Sequence, residues 1–227
     1  MWHILKTKWE CIIITSKKIS FTTMTEKEYY ESLRKHAEVI DQIRESAHAL
    51  HEHVNQRYDK IHPYGFHLDM VADGVRKYGY AVCDNEADVV PFLFAAFYHD
   101  SIEDARQTYN DVMRTAKRWM DEDQARQATE MVYALTNEKG RTRAERANDK
   151  YYQGIRETPY APMLKLADRL ANISYSCSNT NESNAHMKQV YQTELPHFLT
   201  AIRSQRADKR FSLPEEMIKE IERICQG

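Results

Sequence analysis

The segment from Asp88 to Asp100 reads D-V-V-P-F-L-F-A-A-F-Y-H-D, an apolar run closed by charge at both ends. Asp88 suits a helix N-cap, and Pro91 falls in the first turn, where its missing N–H costs nothing. From Phe92 to Tyr98 the helix has no polar face, so other elements must surround it on all sides. Glycine content decides which elements those are. The 227 residues include 6 Gly and 6 Pro, where average usage would supply roughly 16 and 11. Hairpin-rich sandwiches and barrels need frequent positive-φ positions, so an all-α, compact helical bundle is expected. With 42% apolar and 29% charged residues, the chain has the composition of a folded core and not of a disordered polymer.

The helical pattern continues on both sides of that run. Leu33, Ala37, Ile40, Ile43, Ala47 and Leu50 recur at three-to-four spacing between Glu26 and about His53, which predicts one long helix or two short ones. A turn from Asp59 to Gly65 follows, then a helix from His67 to Tyr78, with Gly79 as its stop. Further helices are expected at Thr108–Met120, Glu122–Leu135, Thr142–Glu157, Ala161–Cys177, Asn184–Ser204 and Pro214–Cys225, with a polar surface loop at Ser178–Asn184. Residues 1–23 differ from the rest, carrying Lys6, Lys8, Lys17 and Lys18 around a short apolar centre. They read as a disordered leader or an upstream translation start. Thr25 and Glu28 form a capping-box pattern, so the folded domain, residues 24–227, is expected to begin near Met24.

Composition also narrows the partners. The 32 Lys and Arg against 34 Asp and Glu give a net charge of −2, which argues against a nucleic-acid partner or a membrane surface. The four cysteines, at 11, 83, 177 and 225, form no CxxC pair, so a thiolate zinc site or disulfide framework is not indicated and a reducing cytoplasm is expected. Ten histidines, several close to carboxylates, point instead to a His and Asp site if a metal is held.

The chemistry concentrates in His99-Asp100-Ser101-Ile102-Glu103-Asp104, directly after the apolar run. Adjacent His and Asp can ligate one divalent ion, and four such groups at the end of a buried helix are costly unless something binds them. Taken alone, the dipeptide also fits a capping His beside a solvated Asp. Two further segments bear on the choice: Pro63-Tyr64-Gly65-Phe66-His67, and Lys165-Leu166-Ala167-Asp168-Arg169-Leu170-Ala171-Asn172.

The order His, then His-Asp, then a late Asp resembles the HD-domain metal-dependent phosphohydrolases. Within them the chain is most similar to the hydrolase domain of RelA/SpoT-type enzymes and their small stand-alone homologues, which remove the 3′-pyrophosphate of (p)ppGpp. HDSIED and KLADRLAN carry the resemblance, supported by Gln56-Arg57-Tyr58-Asp59 before the PY-x-x-H segment. It spans about residues 30 to 200. It implies an HD-domain helical bundle with metal ligands His67, His99, Asp100 and Asp168, for which Mn²⁺ is the suited ion. It further implies Glu103 and Asp104 as the catalytic acidic pair serving the attacking water, with Arg57, Asn172 and Tyr191 beside a small-molecule nucleotide. Lys139 opens a basic stretch, continuing through Arg141, Arg143 and Arg146, that either reaches phosphate oxygens or forms a solvated loop. Tyr191 equally suits a helix interface. Lys165 and Arg169 are expected to hold the Asp168 carboxylate, and His36, His48, His51, His53, His62, His186 and His197 to lie on helix surfaces. The chain departs from the family pattern at Phe97-Tyr98, where Leu-Leu is usual, and at Tyr133–Lys139, which lacks the Val-Thr-Lys run. The expected function is therefore a metal-dependent nucleotide phosphohydrolase, with guanosine 3′,5′-bis(diphosphate) 3′-pyrophosphohydrolase as the named reading. An HD-type (deoxy)nucleotide phosphohydrolase of other specificity and a catalytically inactive nucleotide-binding HD module are the alternatives.

Overall fold

The computed structural model describes residues 23–178 and 182–226. Expectations for residues 1–22, and for 179–181 of the polar loop, lie outside the described residues. The fold is all-α. Its helices are α1 (Glu26–Lys35), α2 (Ala37–His53), α3 (Gly65–Tyr78), α4 (Val89–Tyr98), α5 (Ser101–Asp104), α6 (Tyr109–Ala116), α7 (Glu122–Leu135), α8 (Arg143–Arg146), α9 (Asp149–Glu157), α10 (Ala161–Ser178), α11 (Glu182–Ile202) and α12 (Glu215–Gln226). A two-stranded antiparallel hairpin, β1 (Arg57–Tyr58) with β2 (His62–Pro63), pairs Arg57 with Pro63 and Tyr58 with His62.

Every residue of α4 is buried, as its all-apolar surface requires. It packs against α2, α3 and α7. Each large side chain so buried stabilises the fold by about 1.5–3 kcal/mol. Asp88 precedes α4 but does not cap it through its side chain. It closes a short 3₁₀ turn instead, and its carboxylate accepts from Tyr160 Oη at 2.6 Å and Gln127 Nε2 at 3.0 Å. Helix α3 lies between α4 and α10, and α10 also packs on α11 and α12. Close approach of α3 to α10 depends on Gly74, where an added Cβ would stand 3.2 Å from Ala167 Cβ. That contact holds α3 against α10, and nearer its start His67 meets Asp168 of α10.

Local signals account for most boundaries. Thr25 and Glu28 form the expected capping box at α1, as do Thr108 and Asp111 at α6, and Asp121 and Gln124 at α7. The first helical region breaks in two at His36, and the region from Thr142 divides into α8 and α9. Gly79 does not stop α3 through a left-handed conformation. Its φ is −60° and the chain continues into a 3₁₀ turn; glycine is required there because a Cβ would overlap the Tyr29 hydroxyl. Asn184, expected in a surface loop, is buried in α11.

Candidate metal centre

Three elements deliver the site. His67 is the third residue of α3, His99 and Asp100 occupy the joint between α4 and α5, and Asp168 lies within α10. His67 Nε2 is 3.2 Å from His99 Nε2, 3.5 Å from Asp100 Oδ2 and 3.4 Å from Asp168 Oδ1. His99 Nε2 is 2.9 Å from Asp100 Oδ2 and 4.0 Å from Asp168 Oδ1. Both imidazoles are buried, His67 at 2% exposure and His99 at 1%. His99 Nδ1 donates to the Ala96 carbonyl at 2.9 Å, which leaves the Nε2 lone pair facing the cluster.

Two imidazole nitrogens and two carboxylates in one buried locus need positive charge between them. The titration behaviour expresses that need. Burial opposes charge on His67, but Asp100 and Asp168 outweigh it and push the group up to about 9. His99 is likewise raised against its burial, chiefly by Asp100. Burial pushes Asp100 up, but the two histidines prevail and hold it well below the usual carboxylate range. Asp168 is also lowered, against its burial, by Lys165 first and then by the histidines. Lys165 Nζ donates to Asp168 Oδ2 at 2.9 Å, and Tyr64 Oη donates to Asp100 Oδ2 at 2.5 Å. His67, His99 and Asp100 form a donor set able to hold a metal ion, and Asp168 stands at its edge. Mixed imidazole and carboxylate donors fit a borderline divalent cation.

The acidic pair separates. Glu103, exposed at the rim, accepts from the Asn137 backbone N–H and, at 2.9 Å, from Asn137 Nδ2. Asp104 is half-buried. Both carboxyls are pushed up, by the protein packed around them and by the negative charge of Asp100.

A cleft of about 650 Å³ opens beside Asp168, walled by α8 to α11. Asn172 and Tyr191 line it, as do Arg143 and Arg146 of the basic stretch. Lys139 and Arg57 are exposed and are not among its lining residues. In the hairpin it is Tyr58, next to Arg57, that turns inward onto His67, with ring centroids 5.0 Å apart. Arg169 pairs with Glu194 at 3.0 Å and not with Asp168, and Arg143 pairs with the same carboxylate at 2.9 Å. His51 departs furthest from expectation. It is fully buried, stacked on Tyr64 at 4.6 Å with neither ring nitrogen partnered among the described residues, and burial lowers it to about 4. The spacing Ile40, Ile43, Ala47, His51 places it on the buried face of α2 and was available in the sequence. Tyr58, Tyr64 and Asn137 were not singled out by sequence reasoning. Comparison with protein-family models finds no match, and comparison with curated proteins finds none; the chemistry of this site rests on its own residues.

Proposed function

We propose that the chain is an HD-type, metal-dependent phosphohydrolase acting on a nucleotide, with (p)ppGpp 3′-pyrophosphohydrolysis as the named activity. The observation that carries this reading is the convergence of His67 Nε2 with His99, Asp100 and Asp168, all within 3.5 Å. A bound Mn²⁺ or similar ion supplies charge stabilisation at the phosphoryl oxygens and lowers the pKa of water. His67, His99, Asp100 and Asp168 are the residues that would hold it.

The rest of the reaction falls to the protein. One carboxylate of the Glu103 and Asp104 pair, both with raised affinity for protons, takes the proton of the attacking water as its oxygen bonds to phosphorus, and that proton passes to the nucleotide oxygen as its bond to phosphorus breaks. Asn137 orients Glu103. Tyr64, which donates to Asp100, fixes the carboxylate next to that pair. The aromatic and cationic walls of the cleft, Tyr151, Tyr191, Lys165 and Arg146, suit a base or sugar carrying phosphate.

One observation favours a second reading, a nucleotide phosphohydrolase of other specificity. Arg143 and Arg169 share the single carboxylate of Glu194, which offsets one of their two charges and weakens the cleft's attraction for a second diphosphate. Mn²⁺-loaded protein assayed against ppGpp and deoxynucleoside monophosphates separates the two. Pyrophosphate release from ppGpp, lost in Glu103→Gln by a factor of about 10²–10⁴, supports the first. Phosphate release from monophosphates with no ppGpp turnover supports the second, and turnover of neither with intact metal binding refutes both.

A further inference from the structure

We propose that Tyr58 is a positioning residue of the metal centre, its ring setting the plane of His67 and its hydroxyl setting Asp168 through Asn172. This rests on the metal-centre reading above.

The two histidines of the site are held differently. An imidazole that binds a metal is normally oriented by a hydrogen bond from its other nitrogen. His99 has one, from Nδ1 to the Ala96 carbonyl at 2.9 Å. His67 has none among the described residues, where its buried Nδ1 meets no partner. The phenol of Tyr58 stacks on the His67 ring at 5.0 Å with the planes 10° apart, while Tyr64 and His99 meet that ring at steep angles, at 5.6 and 5.1 Å. Tyr175 closes edge-on against Tyr58 at 4.8 Å and donates to Asp59 at 2.9 Å. The stack therefore stands in for the missing hydrogen bond.

The hydroxyl acts on the opposite side of the site. Tyr58 Oη donates to Asn172 Oδ1 at 3.1 Å. With its oxygen so engaged, Asn172 turns its amide nitrogen to Asp168, donating to Oδ1 at 2.6 Å and to the backbone carbonyl at 3.0 Å. Asp168 Oδ1 is the oxygen that lies 3.4 Å from His67 Nε2. The reversed amide would set two acceptors against each other at that position, so the proton from Tyr58 selects the productive orientation. One side chain thus bears on two proposed ligands from different helices.

The backbone is shaped to present it. Tyr58 and Ile61 close the hairpin turn through Ile61 N to Tyr58 O at 3.2 Å, with Asp59 at φ 48° and Lys60 at φ 62°. Two non-glycine residues in the left-handed region are unfavourable, and strain of this kind persists where surrounding structure holds it. Here Asp59 is held by Tyr175.

The test is calorimetric titration of the metal-free full chain with Mn²⁺, with thermal melts to confirm folding. Tyr58→Phe keeps the ring and loses the hydroxyl; Tyr58→Leu loses both. Tyr58→Phe should lower Mn²⁺ affinity about tenfold, and Tyr58→Leu should approach about 100-fold, the range of lost outer-shell partners. Because the hydroxyl works through Asn172, adding Tyr58→Phe to Asn172→Ala should cause no further loss. Wild-type affinity in Tyr58→Phe, or losses that add in full in the double variant, would overturn the proposal while leaving the metal centre standing. A wild-type chain that binds no Mn²⁺ would overturn both. If Tyr58→Leu fails to fold, the Phe variant and its cycle decide alone.

Discussion

In the metal-free protein His67 should make folding stability depend on pH, in a direction and over a window that its surroundings define. Burial opposes charge on this imidazole, but Asp100 and Asp168 push it from its ordinary 6.5 in the unfolded chain up to about 9 in the folded one. A folded pKa above the unfolded value means that the stabilisation is fully present below pH 6.5 and is lost as pH rises toward 9. At about 1.4 kcal/mol per pH unit, moving the midpoint from 6.5 to about 9 corresponds to about 3 kcal/mol. For a chain of this size about 1 kcal/mol shifts Tm by roughly 2–4 °C, so Tm should fall by about 10 °C between pH 6 and 9.5. The assay is thermal unfolding by circular dichroism in the presence of a chelator, for wild type and His67→Gln. The variant lacks the titrating group, and its profile should be flatter by that amount. A wild-type Tm that holds or rises across the window, or a variant that falls just as steeply, would refute the assignment of this charge to His67. The same proton competes with metal, so Mn²⁺ affinity should increase over the window in which unliganded stability declines.

Gly79→Ala should destabilise the fold by about 1–3 kcal/mol in a urea titration, because the new Cβ meets the Tyr29 hydroxyl, which donates to the Val75 carbonyl at 2.8 Å. No change in midpoint would contradict that close approach. Lys165→Met leaves Asp168 without its ammonium partner at 2.9 Å. Stability of the metal-free protein should drop by about 3–5 kcal/mol, with part of the loss recovered on adding Mn²⁺; a loss below about 1 kcal/mol, or no recovery, would count against the charge balance described.

Much of this was legible in the residues. The all-apolar face of Phe92 to Tyr98 demanded a central helix, and Thr25 with Glu28 marked where the first helix begins. His67, His99, Asp100 and Asp168 stood out by motif, and the structure brings their side chains together. The hairpin was not legible, because its turn is made by Asp59 and Lys60 at positive φ and carries no glycine or Asn-Gly signal. Missing the hairpin meant missing Tyr58, whose inward direction follows from strand alternation. The grip of Asn137 on Glu103 joins the end of α7 to α5 across 34 residues, and no local pattern encodes a contact of that range. His51 was misread because charge-bearing residues are usually exposed, although its spacing from Ala47 placed it inward.

Anomalous diffraction from crystals grown with Mn²⁺ decides whether His67, His99, Asp100 and Asp168 form one metal site. A single strong peak should lie roughly 2.0–2.5 Å from His67 Nε2, His99 Nε2 and an oxygen each of Asp100 and Asp168, and it should vanish in Asp100→Asn. No peak at saturating Mn²⁺, or one bound by other residues, would rule out a metal site at these four side chains.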